Sequence, residues 1–585
     1  MPTLEWIGKQ KVINHHQQVP YRVLERQYSF DVAGQHDEDN GSRNMLIHGD
    51  NLEALKSLLP MYEGDIKCIY IDPPYNTGNE GWVYNDNVND PRMKKWLGEV
   101  VGREDEDLSR HDKWLCMMYP RLKLLHKLLA EDGAIFISID DTEYANLKLV
   151  CDEIFGSGCF VSNISWQRTY STRNDSKGIV NEVEHVVVYS KVPGWTPNKL
   201  SRTAEMDAKY KNPDNDVSSW RTSDAFAPGA ATHQGMVYAI QHPFTGKMLY
   251  PSNGACWRYQ QNDMLQIMCG WCGYELKDID DARERAAVCG LPAEAIRKGV
   301  QAIVLSEALA VSAAKAQVVY DRGQWPRFFF TKGGKGGIAR KTHLDNVGGK
   351  LPTNLWTHTE TGHTDEAKKQ MLAIFNGRAT FDTPKPTRLL ERVLQIAGDT
   401  ETLMLDSFAG SGTTAHAVLN MNKADGGHRK FILIEMMDYA ESITAERVRR
   451  VISGYGEGKS AVEGTGGDFS FYELGEVMLL PDGNLNETLE TEKIRQYVYF
   501  METKQQLVSC SETDSPYFLG LHREAAYYFY YEKQTITTLD RAFLATIGTK
   551  AERYIIYADL CTLSEKELTR LGITFKKIPR DIAKL

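Results

Sequence analysis

Long apolar runs are missing from this 585-residue chain. No segment approaches the ~20 uninterrupted apolar residues of a membrane-spanning helix. The opening MPTLEWIGKQKV lacks the apolar stretch of a secretory signal. A cytoplasmic protein with no membrane partner is therefore expected. Cysteine is sparse as well: ten thiols lie scattered, which fits reduced side chains rather than a disulfide framework. Cys269-x-x-Cys272 has no companions at ribbon or finger spacing, because Cys256 and Cys289 lie at the wrong intervals, so no metal site is expected. His15-His16 likewise lacks companion ligands. Neither an internal repeat nor a Walker motif is present, since Gly336 and Lys341-Thr342 are wrongly spaced for a phosphate loop. Positive charge is also short, with a net −10. That balance does not exclude a nucleic-acid partner, which needs only a local basic surface. The acids are concentrated at 37–39, at 104–107 and beyond 463.

What is there centres on 66–78, IKCIYIDPPYNTG. A short apolar strand runs into Asp72-Pro73-Pro74-Tyr75. Two prolines fix their own φ and offer no amide hydrogen, so the chain must leave the sheet as a stiff turn. The turn displays a carboxylate, a proline carbonyl and an aromatic ring, which together can hold a planar ring bearing an amino group. A strand simply cut off by a Pro-Pro turn is the plainer alternative. A second stretch follows the logic of nucleoside-cofactor binding: strand 401–408, the turn Ala409-Gly410-Ser411-Gly412-Thr413-Thr414, a helix from Ala415, then FILIE closed by Glu435. Glycines permit close backbone approach there, and the acid suits ribose hydroxyls.

Around these stretches strands and helices alternate. Residues 45–60 read as strand, a turn at Gly49-Asp50-Asn51 and a helix, with Asp50 equally readable as an N-cap. Helices at 114–131 and 144–155 and strands at 133–140 and 183–190 continue the pattern. It predicts an α/β fold with a doubly wound, mostly parallel sheet assembled from both halves, both turns lying at its carboxyl edge. Five segments are expected: an N-terminal arm (1–40), a first half of the sheet domain (41–194), an inserted lobe (195–355), a second half (356–455) and an α+β C-terminal domain (456–585). The acidic stretch 79–112 reads as a lid. The glycine-loosened basic loop 331–350, with Lys332, Lys335, Arg340 and Lys341, reads as a contact for a phosphate backbone. Aromatics at 527–531 read as a core or an interface.

DPPY followed much later by DSFAGSGT resembles the amino-methylating DNA methyltransferases in which the catalytic motif comes first, the β group. DPPYNTG, the opening LEWIGK, HGDNLEAL and the ending FKKIPRDI resemble the modification subunit of type III restriction–modification systems. The resemblance covers nearly the whole chain and is thinnest over 195–350. It implies S-adenosylmethionine as cofactor, held by Asp406, Phe408, Ala409, Gly410, Ser411, Gly412 and Thr413. Glu435 would hold the ribose, Lys385-Pro386 would line the methionine side, and Asp50-Asn51 would lie near the adenine. The implied substrate is double-stranded DNA with its target base flipped out. Tyr75 would stack on that base, and Asp72 with the Pro73 carbonyl would accept its amino hydrogens. Asp rather than Ser before Pro-Pro-Tyr favours adenine N6, and the absence of a Pro-Cys nucleophile disfavours cytosine C5. A homodimer and a helicase–nuclease restriction partner follow from the same resemblance. The alternatives are a solitary adenine methyltransferase, or a chain that mainly reads DNA for a helicase–nuclease complex.

Overall fold

A computed structural model describes residues 4–77, 110–170, 179–505, 507 and 515–580. Most of the stretch expected to form a lid, 79–109, lies outside the described residues, as does Gly78. Among the described residues no helix is long and apolar enough to cross a membrane. The chain divides into two units: Met1–Asn198 with Pro352–Leu585, and Lys199–Leu351.

The first unit is built on one mixed sheet. Its strands, in chain order, are β1 (Arg22–Asp31), β2 (Gly34–His36), β3 (Met45–His48), β4 (Ile66–Ile71), β5 (Leu129–Ile139), β6 (Phe160–Gln167) and β7 (Val183–Ser190). They continue as β8 (Leu355–Trp356), β9 (Leu403–Asp406), β10 (Lys430–Glu435) and β11 (Asp468–Val477). Spatial order is β8-β6-β7-β5-β4-β9-β10-β3-β11-β1-β2. The block from β5 through β11 is parallel throughout. Antiparallel pairs flank it at β5–β7 and β6–β7 on one side and β1–β11 on the other. β4 lies against β9, with Ile69 opposite Leu405. Two strands more than 330 residues apart in sequence are thus neighbours. Buried parallel strands need apolar side chains on both faces, and IKCIYI, LMLD and KFILIE supply them. Helices Asn51–Tyr62 and Arg110–Leu128 share one core with Ile69, Ile71, Ile135, Leu405 and Ile432. Helices Thr387–Ala397 and Thr413–Asp425 pack against each other, with Leu390 of the former meeting Tyr70 on the opposite face of β4.

Two expectations change here, and a third, the core-or-interface reading of the aromatic cluster, falls on the side of the core. Residues 1–40 are not a detached arm: β1 pairs along its length with β11, and the short helices Lys9–Val12 and His15–Gln18 pack on Arg110–Leu128. The sheet does not end at 455, because Asp468–Val477 lies parallel to β3. The aromatics at 527–531 are mostly interior: the strand Ala525–Phe529 is central in a small four-stranded sheet, and Tyr527, Tyr528, Phe529 and Tyr531 are buried.

The second unit carries its own core of Trp220, Trp257, Trp271, Tyr238 and Phe328–Phe330. Residues 331–350 are not a loop throughout. Ile338–His343 is a strand paired on both sides, with Phe328–Phe330 and with Trp220–Asp224.

Candidate active site

The stiff turn at the end of β4 is held from three directions. Trp114 Nε1 donates to the Pro74 carbonyl at 2.7 Å. Asn76 adopts a left-handed φ of 59°, tolerable for Asn, and its amide is gripped by the fully buried Glu143 carboxylate. Asn146 and His111 donate to or contact that same carboxylate. Pro73 is buried, and no described residue donates to its carbonyl.

Asp72 is buried at the turn's apex. Lys385 Nζ lies 2.7 Å from both of its carboxylate oxygens and 2.9 Å from Tyr75 Oη. The ammonium also stands 5.0 Å from the centre of the Tyr75 ring and 6.0 Å from that of Trp166. Tyr75 Oη is 3.0 Å from Asp72 Oδ1 and 3.0 Å from Glu184 Oε2. A phenol carries one proton, so the Tyr75 hydroxyl can donate to only one of the two carboxylates at a time while its oxygen accepts from Lys385. Burial pushes the Asp72 pKa up, against the opposing pull of Lys385. Burial, then the charges of Asp72 and Glu184, holds the Tyr75 phenol well above its usual range. The second acid, Glu184 of β7, is itself buried and receives Arg168 Nη1 at 3.0 Å.

On the other side, β9 ends in Asp406, whose carboxylate accepts Thr414 Oγ1 at 2.6 Å and the Phe408 amide at 3.1 Å. Glu435, ending β10, accepts the Gly410 amide at 2.8 Å and the Met437 amide at 3.0 Å. Burial raises both acids to about 7. Gly412 has φ 77°, and a Cβ there would come within 3.2 Å of Thr444. The left-handed φ favours glycine there, and the close approach of Thr444 adds to that preference. Thr444 Oγ1 closes the turn by donating to the Gly410 carbonyl at 2.6 Å.

These two halves border one hollow, open on one side. Asp72 and Lys385 line it from one side. Asp406, Phe408, Ala409, Gly410, Ser411 and Thr413 line it from the other. Thr413 Oγ1 donates to the Lys385 carbonyl at 3.2 Å, which joins the sides directly. Other expected residues act at one remove. Pro386 caps helix Thr387–Ala397, and Glu435 ties the glycine turn from behind. Asp50 is the N-cap of Asn51–Tyr62, accepting the amides of Leu52 and Glu53. Asn51 bridges the Ser407 carbonyl and Arg121.

In the second unit the expected DNA-contacting residues separate. Lys332 and Lys335 are exposed. Lys341 is buried, with its ammonium held by Asp214 and by Asp216, so it cannot reach a phosphate. Arg340 is half-buried, and burial, then the positive charges of Arg258 and Arg327, lower its pKa.

A family profile described as DNA methylase matches residues 66–262 and 309–446, more than half of the chain. The chain belongs to that family. It is similar to the type III restriction-modification enzyme StyLTI Mod subunit of Salmonella typhimurium, at 33% identity over 68% of this chain and 53% of the relative. It is also similar to the EcoP15I Mod subunit of Escherichia coli, at 28% identity over 74% and 64%. A third relative is the type II methyltransferase M.KpnI of Klebsiella pneumoniae, at 29% identity over 68% and 81%. The chain thus spans between half and two thirds of the length of these type III relatives.

S-adenosylmethionine is the cofactor this family implies, and the hollow's residues fit it. Buried acids stand at the ends of β9 and β10, a glycine turn presents hydroxyls, and Ser407 Oγ is buried without a hydrogen-bond partner among the described residues. Sequence reasoning missed Glu184 and Trp166. A carboxylate on the same face as Val186 and Val188 of β7 was the available signal for Glu184.

Proposed function

We propose that this chain methylates the N6 amino group of adenine in double-stranded DNA, using S-adenosylmethionine, as the modification and sequence-reading subunit of a type III restriction–modification system. The observation that carries this reading is the Lys385 ammonium set 2.7 Å from both Asp72 oxygens at the edge of the glycine-turn hollow. A nitrogen that donates hydrogens is what the Asp72 carboxylate is placed to receive. The amino group of a flipped base would take that position, with Lys385 turning toward Glu184, now 3.8 Å away.

The cofactor supplies a methyl group on a sulfonium. The chain's own residues do the rest. Asp72 and the Pro73 carbonyl accept the two N–H bonds, which directs the nitrogen lone pair at the methyl carbon. As the N–C bond forms and the S–C bond breaks, the nitrogen must shed a proton. Burial has raised the proton affinity of Asp72, so its carboxylate is suited to take it. The stiff turn holds both acceptors in place, and positioning supplies most of the acceleration. Tyr75 stacks on the extruded base once its hydroxyl is released from the acids. Adenine rather than cytosine rests on Asp preceding Pro-Pro-Tyr.

Arg340, with Arg258 and Arg327 beside it, supports a phosphate contact in the second unit. The relatives described as Mod subunits support a helicase–nuclease partner that would cut where this chain reads. The test is transfer of labelled methyl from S-adenosylmethionine to unmethylated DNA. Wild type should transfer and Asp72→Ala should not, while both bind S-adenosylhomocysteine. Equal transfer by the variant would end the assigned role of Asp72.

A further inference from the structure

Behind the glycine turn lies a charge that the methyl-transfer scheme leaves unused. Arg447 belongs to helix Glu446–Ser453, directly after the wide turn Ala440–Ala445. It is fully buried, yet among the described residues it forms no ion pair. Its Nε has no hydrogen-bond partner there either. Nη1 lies 2.9 Å from Ser411 Oγ, 2.8 Å from Thr413 Oγ1 and 3.3 Å from the Ser411 carbonyl. Nη2 lies 3.2 Å from His416 Nδ1 and 3.4 Å from Gln370 Oε1. Burial holds the His416 ring well below its usual range, so it is neutral and accepts. Burial also lowers Arg447, but only to about 9, which leaves the guanidinium charged at neutral pH. An isolated buried cation is costly unless an anion meets it.

The hydroxyls show where such an anion would sit. A guanidinium only donates, so the oxygens of Ser411 and Thr413 receive from it and must send their own protons elsewhere. The Thr413 proton goes to the Lys385 carbonyl at 3.2 Å. Ser411 Oγ has Thr413 Oγ1 at a long 3.3 Å, and its residue borders the hollow. Its hydroxyl is thus left with a proton to donate, backed by a full positive charge, in a residue that borders that space. A small monoanion, a carboxylate, suits it. S-adenosylmethionine carries one, at its amino-acid end.

We propose that Arg447 is a positioning residue that supplies the counter-charge for the cofactor's carboxylate, acting through the Ser411 hydroxyl. This rests on the cofactor reading given above. It separates affinity for the amino-acid end from affinity for the nucleoside end, which a bracing role in the fold would not.

The experiment is calorimetric titration of the full chain with two probes: S-adenosylhomocysteine, which has the carboxylate, and 5′-methylthioadenosine, which lacks the amino-acid end. Arg447→Met should weaken S-adenosylhomocysteine about ten-fold or more and leave 5′-methylthioadenosine within about two-fold. Arg447→Lys should recover part of the difference. Ser411→Ala removes one acceptor of Arg447 but keeps the charge and its helix in place; it should show the same selective loss, and it keeps the test decisive if Arg447→Met does not fold. Equal losses for both probes, or none for either, in Ser411→Ala or in a folded Arg447→Met would overturn the proposal. Wild type that binds neither probe would overturn the cofactor reading itself, and this assignment with it.

Discussion

Each unit of this chain buries one lysine against an aspartate, and the two arrangements are close chemical copies. In the second unit Lys341 meets Asp214 and Asp216, with the Trp220 and Trp325 ring centres at 5.0 and 6.0 Å. In the first unit Lys385 meets Asp72, with Glu184 nearby and the Tyr75 and Trp166 ring centres at the same two distances. What differs is slack. Lys341 and Asp214 have fully buried side chains, Asp216 bonds the ammonium at 2.6 Å, and His343 closes over Asp216 at 2.9 Å. Lys385 and Asp72 instead edge a hollow, and their second carboxylate stands 3.8 Å off. A sealed pair fixes a fold. An open pair, with a spare acceptor for its lysine, can exchange one hydrogen-bond donor for another.

The sharpest break between the two is functional. Asp72→Ala should lower methyl transfer by about a thousand-fold or more, with S-adenosylhomocysteine binding retained, as read by labelled transfer and calorimetry. Next comes stability. Lys341→Met leaves Asp214 buried and unpaired, so it should cost about 3–5 kcal/mol, seen as early unfolding of Lys199–Leu351 in denaturant melts. Lys385→Met should cost far less stability, because solvent reaches the hollow. It should instead move the acidic limb of the rate profile to higher pH, since loss of the ammonium raises the Asp72 pKa further. A comparable unfolding penalty for both variants would erase the distinction.

Smaller effects sharpen the picture. Arg258→Ala and Arg327→Ala should each weaken DNA binding at every sequence and reduce the salt slope by about 1, measured by fluorescence anisotropy across salt concentrations. Asp406 and Glu435 hold folded-state values near 7, above their ordinary carboxyl range. Between that range and about 7 the folded chain binds more protons than the unfolded chain, so stability falls as pH rises and then levels off. Glu435→Gln should flatten part of that decline in thermal melts taken from pH 5 to 8.

Much of this was legible in the sequence because buried parallel strands declare themselves as apolar runs, and because prolines and glycines mark where those runs must turn. IKCIYIDPPY and LDSFAGSGTT announced both walls of the hollow. Their adjacency was an economy argument that the pairing of Ile69 with Leu405 makes concrete. Glu184 and Arg447 were harder to read, because their partners lie 109 and 36 residues away; Glu184 is marked only by its alternation with Val186 and Val188, and no local pattern singles out Arg447. Lys341 was misread for a related reason. A lysine among glycines looks solvated until the strand that carries it is seen to pair on both sides.

Methyl transfer by this chain depends on Asp72 receiving an amino group. The most direct measurement is expression of the chain in a host free of DNA methylation, followed by nucleoside mass spectrometry and single-molecule sequencing of the host genome. N6-methyladenine at one recurring sequence, absent with Asp72→Ala, is the predicted result. N4-methylcytosine, or N6-methyladenine that persists in the variant, would contradict it.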